Sequence, residues 1–307
     1  MLTTNTHNQT LFITGASGFI GGHLMQKAAT LFKKVVGTCN TNHTHKSSLG
    51  NYIVLNITDK KEVESAIQLV KPDIILHCAA ISNAEFCAKN KNIAQNINVE
   101  GTRYVAESAK KCGAHMIYVS TDMVFDGQVG GYTAQDIPNP VSVYGKTKYD
   151  AELAVQAISD TFSVARIAWV YGKSINSAKN YLDYLIENLQ QNKPQNLFFN
   201  EFRSPIYVED VCDGLLYLAQ NRQAGIHHLA GPEKLSRLDF ALIMAKNLGF
   251  DKNLIQSVSS DSIPFTDARP KDCSMQASDV FKKLNFHTTD NVLSKLYHAQ
   301  QKDFHLR

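Results

Sequence analysis

Short apolar runs alternate with longer amphipathic stretches through the first half of the chain. The segment T-L-F-I-T at 10–14 reads as a buried strand, and apolar positions recur at helical spacing over 19–31. A second strand is predicted at 35–38. Asp59 stands where an N-cap would open a helix over 59–70. D-I-I-L-H at 73–77 and M-I-Y-V-S at 116–120 are further buried strands, with one long helix predicted between them at 93–111. A helix over 142–159 and a strand over 163–170 complete the series. Unbroken apolar strands separated by helices predict an α/β fold, a doubly wound parallel sheet covered on both faces.

After Gly172 the rhythm loosens. The pattern predicts an amphipathic helix at 181–190, a short strand at 197–199 and a helix at 208–220. The run 226–229 reads as a strand returning to the main sheet, and 238–248 and 280–284 as further helices. The predicted division is a large lobe over 1–172, rejoined by 206–230. A smaller lobe comes from 173–205 and 231–307, with a cleft between.

The first candidate chemistry is T-G-A-S-G-F-I-G-G at 14–22, between the first strand and the first helix. Gly15 permits a tight turn, Gly18 lets the backbone approach a pyrophosphate, and Gly21 lets helix and strand pack closely. The helix N-terminus offers N–H groups and a positive dipole end to phosphates. The large lobe is therefore predicted to be Rossmann-like and to bind NAD(P), with Gly15, Ser17, Gly18, Phe19, Ile20 and Gly21 at the cofactor. No Asp or Glu occurs over 37–48, where an NAD site places its ribose-binding acid. Lys46 or a histidine there could attract a 2′-phosphate. The expectation is NADPH, with NADH as a second cofactor.

The second is V-S-T-D-M-V-F-D-G at 119–127, followed by Y-G-K-T-K at 144–148. Tyr144 and Lys148 are four apart and share a helix face. A free phenol is a poor acid–base catalyst at neutral pH, and a neighbouring ammonium is expected to lower its pKa. Thr121 is placed to orient a substrate carbonyl, with Ser120 as the alternate. A surface Tyr–Lys pair is the plainer reading of the same spacing.

The glycine spacing, G-x-x-G-x-x-G, with Y-x-x-x-K downstream resembles the extended short-chain dehydrogenase/reductase superfamily over nearly the whole chain. K-P-D-I-I-L-H-C-A-A, I-N-V-E-G-T, V-S-T-D-M-V-F-D-G and A-R-I-A-W-V-Y-G are similar to the dTDP-4-dehydrorhamnose reductase family in particular. The resemblance implies a catalytic Thr121, Tyr144 and Lys148 reducing the 4-keto group of a nucleotide-linked 6-deoxysugar. It implies small residues Cys78, Ala79 and Ala80 over the cofactor. Asn56 and Ile57 stand where relatives meet the adenine, although Asp59 could simply cap the next helix. Ser82, Thr121, Asp122, Met123, Arg203 and Arg269 are the implied substrate contacts, with the two arginines toward the diphosphate. A homodimer through the long helices is also implied.

Met123 is a departure. Sugar-nucleotide dehydratases carry a basic Glu there and the reductases commonly a Tyr. A thioether cannot be a base, so Met123 argues against dehydration and predicts a more apolar pocket wall. Asp210 is expected to cap the following helix, Trp169 to sit in the core, and Asn98 to hold the catalytic geometry. Two other functions remain open: an epimerase that retains NAD, and a cofactor-binding regulator of a partner enzyme.

Composition narrows the rest. Net charge is +3 and Lys-Lys occurs only as isolated pairs, which argues against nucleic acid as a partner. The polar N-terminus reads as neither signal nor anchor, and no apolar run approaches the ~20 residues of a membrane span. Six scattered cysteines without C-x-x-C suggest reduced thiols and a cytoplasmic setting. His43 and His45 lack an evident third ligand, so no metal site is expected.

Overall fold

The computed structural model describes residues 6–40, 51–175 and 179–304, with side chains to 296. In chain order the strands are β1 (Thr10–Thr14), β2 (Lys34–Cys39), β3 (Asn51–Val54), β4 (Ile74–His77), β5 (His115–Thr121), β6 (Ser163–Ile167) and β7 (Val170–Tyr171). They continue with β8 (Gln195–Phe198), β9 (Phe202–Arg203), β10 (Ile206–Tyr207), β11 (Gly225–Leu229), β12 (Leu235–Ser236) and β13 (Ile255–Val258). The helices are α1 (Phe19–Ala28), α2 (Lys60–Val70), α3 (Ala84–Lys89), α4 (Lys91–Gln95) and α5 (Thr102–Cys112). After them come α6 (Val143–Ile158), α7 (Tyr181–Gln190), α8 (Val208–Asn221), α9 (Arg237–Leu248) and α10 (Thr289–Phe304).

Seven parallel strands form one sheet in the order β11-β6-β5-β4-β1-β2-β3. The strand order reverses between β1 and β4, which opens a crevice at their C-terminal ends. Strand alternation divides the apolar residues between two faces. Leu11, Ile13, Leu76 and Val119 pack with α1 and α8 on one side. Phe12, Ile75, Met116 and Tyr118 pack with α2, α5 and α6 on the other. A separate core of Tyr171, Leu182, Leu185, Phe240 and Met244 joins α7, α9 and α10.

Most predicted strands and helices form within a residue or two of their expected bounds, and β11 pairs in parallel with β6. Four differ. The long helix is interrupted by a π-helical turn, Asn96–Gly101, between α4 and α5. The strand over 163–170 breaks after Ile167, and β7 leaves the sheet to pair with β10. The stretch at 280–284 is a 3-10 helix, Asp279–Leu284. The first helix ends at Ala28. Edge strand β3, six-residue α3, strand β13 and the C-terminal α10 have no counterpart among the predicted elements: β3 has exposed ends and α3 is too short to show a period.

Candidate active site

A cleft of about 290 Å³ opens at the reversal point, lined by Gly15, Ser17, Gly18, Thr38, Asn40, Asn56, Ile57, Cys78, Ala79 and Ala80, among others. Gly18 is the N-cap of α1, which has no side-chain cap bond and no acid in its first turn. Its positive dipole end faces the cleft, which suits a pyrophosphate. Gly15 adopts φ +66°, and a Cβ there would sit 2.8 Å from the Ala79 backbone. Phe19, Ile20 and Gly21 belong to α1 and are not among the cleft's lining residues. Gly21 serves packing, because a Cβ would strike the Gly15 carbonyl. Asp59 caps α2 by accepting from Lys61 and Glu62 N–H groups. The Asn56 carbonyl accepts from the Thr58 amide and hydroxyl, at 3.1 and 2.8 Å. Its amide NH₂ is then the group to offer an adenine. Lys46, His43 and His45 lie outside the described residues.

The cleft floor is braced by a buried relay. The Ala79 N–H donates to Thr14 Oγ1, whose hydroxyl lies 2.7 Å from His77 Nδ1. His77 Nε2 lies 3.0 Å from Thr102 Oγ1, which donates to the Asn98 carbonyl. Since the Thr102 proton is committed to Asn98, the proton of His77 sits on Nε2. Burial pushes this histidine down to about 3, so it stays neutral.

Thr121, Tyr144 and Lys148 come together where β5 ends against the first turns of α6. Thr121 closes β5, and its hydroxyl accepts from the Met123 N–H and donates to Asp122 at 3.1 Å. Ser142 caps α6, placing Tyr144 and Lys148 on its buried face. Gly145 allows the close approach, since a Cβ would collide with the Met123 carbonyl oxygen. Ser120, the alternate hydroxyl, points away from the trio to donate to Glu152.

The electrostatics differ from the sequence expectation. Burial pushes the Tyr144 phenol up, above the usual tyrosine range. A hydrogen bond with Thr121 opposes that shift, while Asp122 and Cys87 add to it. Lys148 is 3% exposed and donates to the Val119 carbonyl at 2.7 Å, over the Tyr118 ring. Burial pushes its ammonium down to about 7, against the pull of Glu152. Desolvation thus dominates at the phenol, where the expected lowering by Lys148 is not seen, and Tyr144 is a protonated acid rather than a phenolate.

Asn98 lies in the π-helical turn. Its carbonyl accepts from the Ile81 N–H at 2.8 Å, and its NH₂ donates to the Ile81 carbonyl and Thr147 Oγ1, each at 3.1 Å. It clamps the loop after β4 to α6 directly. Met123 packs with Tyr144, Cys87, Ile81 and Val143, so it forms an apolar wall beside the phenol. Ser82 is exposed on the loop entering α3.

The arginines depart from their expected form. Asp122 is buried with one carboxylate oxygen lacking a hydrogen bond, and Arg203 Nε lies 3.5 Å from that oxygen. Burial pushes the Asp122 carboxyl up, against the attraction of Arg203. Arg203 also donates to the Phe202 and Pro270 carbonyls, at 2.6 and 3.2 Å. Arg269 grips Glu201 through two bonds of 2.8 and 2.7 Å and stacks on Phe265. Both guanidiniums are engaged within the protein here, and Arg203 ties Asp122 at the end of β5 to β9. Asp210 caps nothing; it binds the backbone and ring of His287, because α8 opens two residues earlier, at Val208, with Tyr207 at the N-cap.

Sequence reasoning missed Arg237, Glu201, Glu152 and Arg166. Arg237 packs over Trp169 and Tyr181, and one of its NH nitrogens is buried without a partner. With Trp169, Glu201, Arg203 and Leu235 it lines a small recess. Trp169 is thus both core and recess wall. Glu152 carried a signal, since it follows Lys148 by one more helical turn; Arg237 carried none. Among the described residues no cluster of His, Cys, Asp or Glu forms a metal site, and no helix is long and apolar enough to cross a membrane.

Comparison with known proteins supplies the lineage. Residues 9–296 match the family described as RmlD substrate binding domain. The chain is 30% identical over 260 residues to the methionine adenosyltransferase 2 subunit beta of Xenopus laevis, covering 83% of this chain and 76% of that one. It is 29% identical over 263 residues to dTDP-4-dehydrorhamnose reductase of Mycobacterium tuberculosis, with 84% and 81% covered. Its fold superposes on the crystal structure of the Bacillus anthracis dTDP-4-dehydrorhamnose reductase with a TM-score of 0.80 at 24% identity, covering 95% of this chain and 99% of that one. With a family match that runs through both halves of the molecule, the chain belongs to the RmlD substrate-binding-domain family.

Proposed function

We propose that the protein is an NADPH-preferring reductase of the 4-keto group of a nucleoside-diphosphate 6-deoxysugar, of the kind named in its mycobacterial relative. The carrying observation is the meeting of Thr121, Tyr144 and Lys148 at the end of β5, with the Gly15–Gly18 cleft lined from the other side by Ala79 and Ala80. The Bacillus anthracis protein of like fold was solved with NADP. The residues present fit such a cofactor: Gly15, Ser17 and Gly18 for the pyrophosphate, Asn56 for the adenine, Cys78 to Ala80 for the nicotinamide side. The lack of an acid at Thr38, Cys39 and Asn40 supports the phosphorylated form. When bound, the reduced nicotinamide supplies the hydride.

The chain supplies the rest. Thr121 bonds the carbonyl oxygen and fixes its position. Tyr144, protonated, gives its proton to that oxygen as negative charge develops. Lys148 places a positive charge behind the phenol, which eases the proton's departure. Met123 and Val143 keep water from the phenol, and Asp122 with Arg203 forms a polar wall on the sugar side. Residues 1–172 with 206–230 would form the cofactor lobe, and the remainder the substrate lobe. Exposed Phe86, Ile93 and Leu153 on α3, α4 and α6 support a homodimer through those helices. A cytoplasmic location is part of the same reading.

A second reading is favoured by the likeness to the Xenopus beta subunit: a cofactor-binding regulator with an idle centre. NADPH absorbance separates the two. Steady oxidation on adding dTDP-4-keto-6-deoxyglucose with its 3,5-epimerase supports the reductase. NADPH binding without oxidation of this or other keto-sugar nucleotides would sink it and promote the regulator.

A further inference from the structure

Helix α6 carries a third functional-looking residue on the same face. Tyr144, Lys148 and Glu152 succeed one another at intervals of four, and all three are buried. Glu152 is 0% exposed and Arg166, from β6, is 1% exposed. Arg166 holds the Glu152 carboxylate with its Nε at 3.1 and 3.2 Å and an NH₂ at 2.8 Å. Ser120 donates to the same carboxylate. Arg166 lies over the Phe125 ring, and His228 of β11 lies 3.5 Å from its other terminal nitrogen.

A buried ion pair of this kind adds little net stability over an apolar pair of the same size. Its place in the fold suggests another role. Ser120 adjoins Thr121, and Glu152 is one turn beyond Lys148, so the network joins the two elements that carry the trio. The neighbours of Lys148 leave few other sources of charge. From β4 and its loop come His77, pushed down to about 3, and Cys78, pushed up to about 12. Cys87 of α3 is pushed up by burial, as are the phenols of Tyr118 on β5 and Tyr144 on α6. His228, behind Arg166, is pushed down to about 4. All of these are neutral near pH 7. Among the described residues around Lys148, the Glu152–Arg166 pair holds the permanent charge, and Glu152 is the member felt by the lysine.

We propose that Glu152 is a positioning residue for the proposed reductase centre: clamped by Arg166 and Ser120, it supplies the counter-charge that keeps buried Lys148 an ammonium. The assignment rests on the reductase reading for its purpose, but its test needs no substrate. Lysine side-chain NMR signals are followed against pH, with the Lys148 signal assigned by its loss in Lys148→Met. Wild type is compared with Glu152→Gln, Glu152→Asp and the double variant Glu152→Gln/Arg166→Gln. The titration midpoint of Lys148 falls by about one unit or more in Glu152→Gln, a tenfold loss of proton affinity, and falls in the double variant too. In Glu152→Asp, which keeps the charge, it stays within about half a unit of wild type. A midpoint that is unchanged or raised in the Gln variants overturns the proposal. If Glu152→Gln does not fold, the double variant, which leaves no unpaired charge, decides alone. A lysine shift without NADPH oxidation in wild type would sink the reductase reading and leave the counter-charge role standing.

Discussion

Whether Lys148 carries its proton at working pH is decided by two opposing effects on one side chain. Burial removes the ammonium from water and pulls its pKa to about 7, while Glu152 pulls the other way. Tyr144 stays protonated far above that pH. For carbonyl reduction the needed form has both protons in place, so kcat/KM for reduction should hold below about pH 7 and decline above it. A profile that stays flat to about pH 9 would contradict this assignment of the charge. The trio itself was legible in the sequence, because hydroxyl, phenol and ammonium keep their chain order and helical spacing. The sign of the electrostatics was not: desolvation depends on what packs around a side chain, and no spacing reports it. Arg203 and Arg269 teach the same lesson. Their charge was readable, but their partners, Asp122 and Glu201, come from distant parts of the chain.

At the scale of elements, the π-helical turn between α4 and α5 places Asn98 between two segments. Apolar periodicity predicts a continuous helix there, and the backbone nearly obliges. One turn is widened at Asn96–Gly101, and Asn98 uses it to reach both backbone groups of Ile81 and the Thr147 hydroxyl. Such widened turns recur at functional sites. Asn98→Ala leaves buried polar partners without bonds, at about 1–3 kcal/mol each. The variant should lose about 2–4 kcal/mol in denaturant unfolding and also lower kcat, since the loop it releases adjoins the cleft. Unchanged kcat with reduced stability would restrict Asn98 to a structural part. The remaining element-level misses have plain causes. Strand β3 is half exposed, and the segment after Ile167 turns away from the sheet to pair with β10, a long-range choice that local pattern does not encode.

Across the described residues, four histidines buried in the sheet, His77, His115, His227 and His228, shape the response to acid. His77, His115 and His228 are pushed down by burial to about 3, 4 and 4. Each is neutral when folded and free to take a proton near pH 6.5 when unfolded. The unfolded state therefore binds more protons as pH falls through that value, and stability drops until the folded-state pKa is reached. The loss amounts to something on the order of 3 kcal/mol each for His115 and His228. Denaturation midpoints should decline steadily between about pH 6.5 and 4, and a midpoint constant across that window would contradict their burial as neutral groups. The parallel sheet covered on both faces followed from the alternation of strands and helices, and the phosphate-type turn from the glycines, while the strand order did not. The long-range pairs Asp122–Arg203 and Arg269–Glu201 emerged only in three dimensions.

The central claim is that Tyr144 and its neighbours reduce a sugar ketone at C4. The most direct measurement supplies 4-deuterated NADPH and dTDP-4-keto-6-deoxyglucose with its 3,5-epimerase, then locates the label in the product by NMR. Wild type should place deuterium at C4 in a single configuration. Tyr144→Phe should bind NADPH as wild type does and transfer the label at least about 100-fold more slowly. Absence of deuterium at C4, or equal transfer by Tyr144→Phe, would contradict the account.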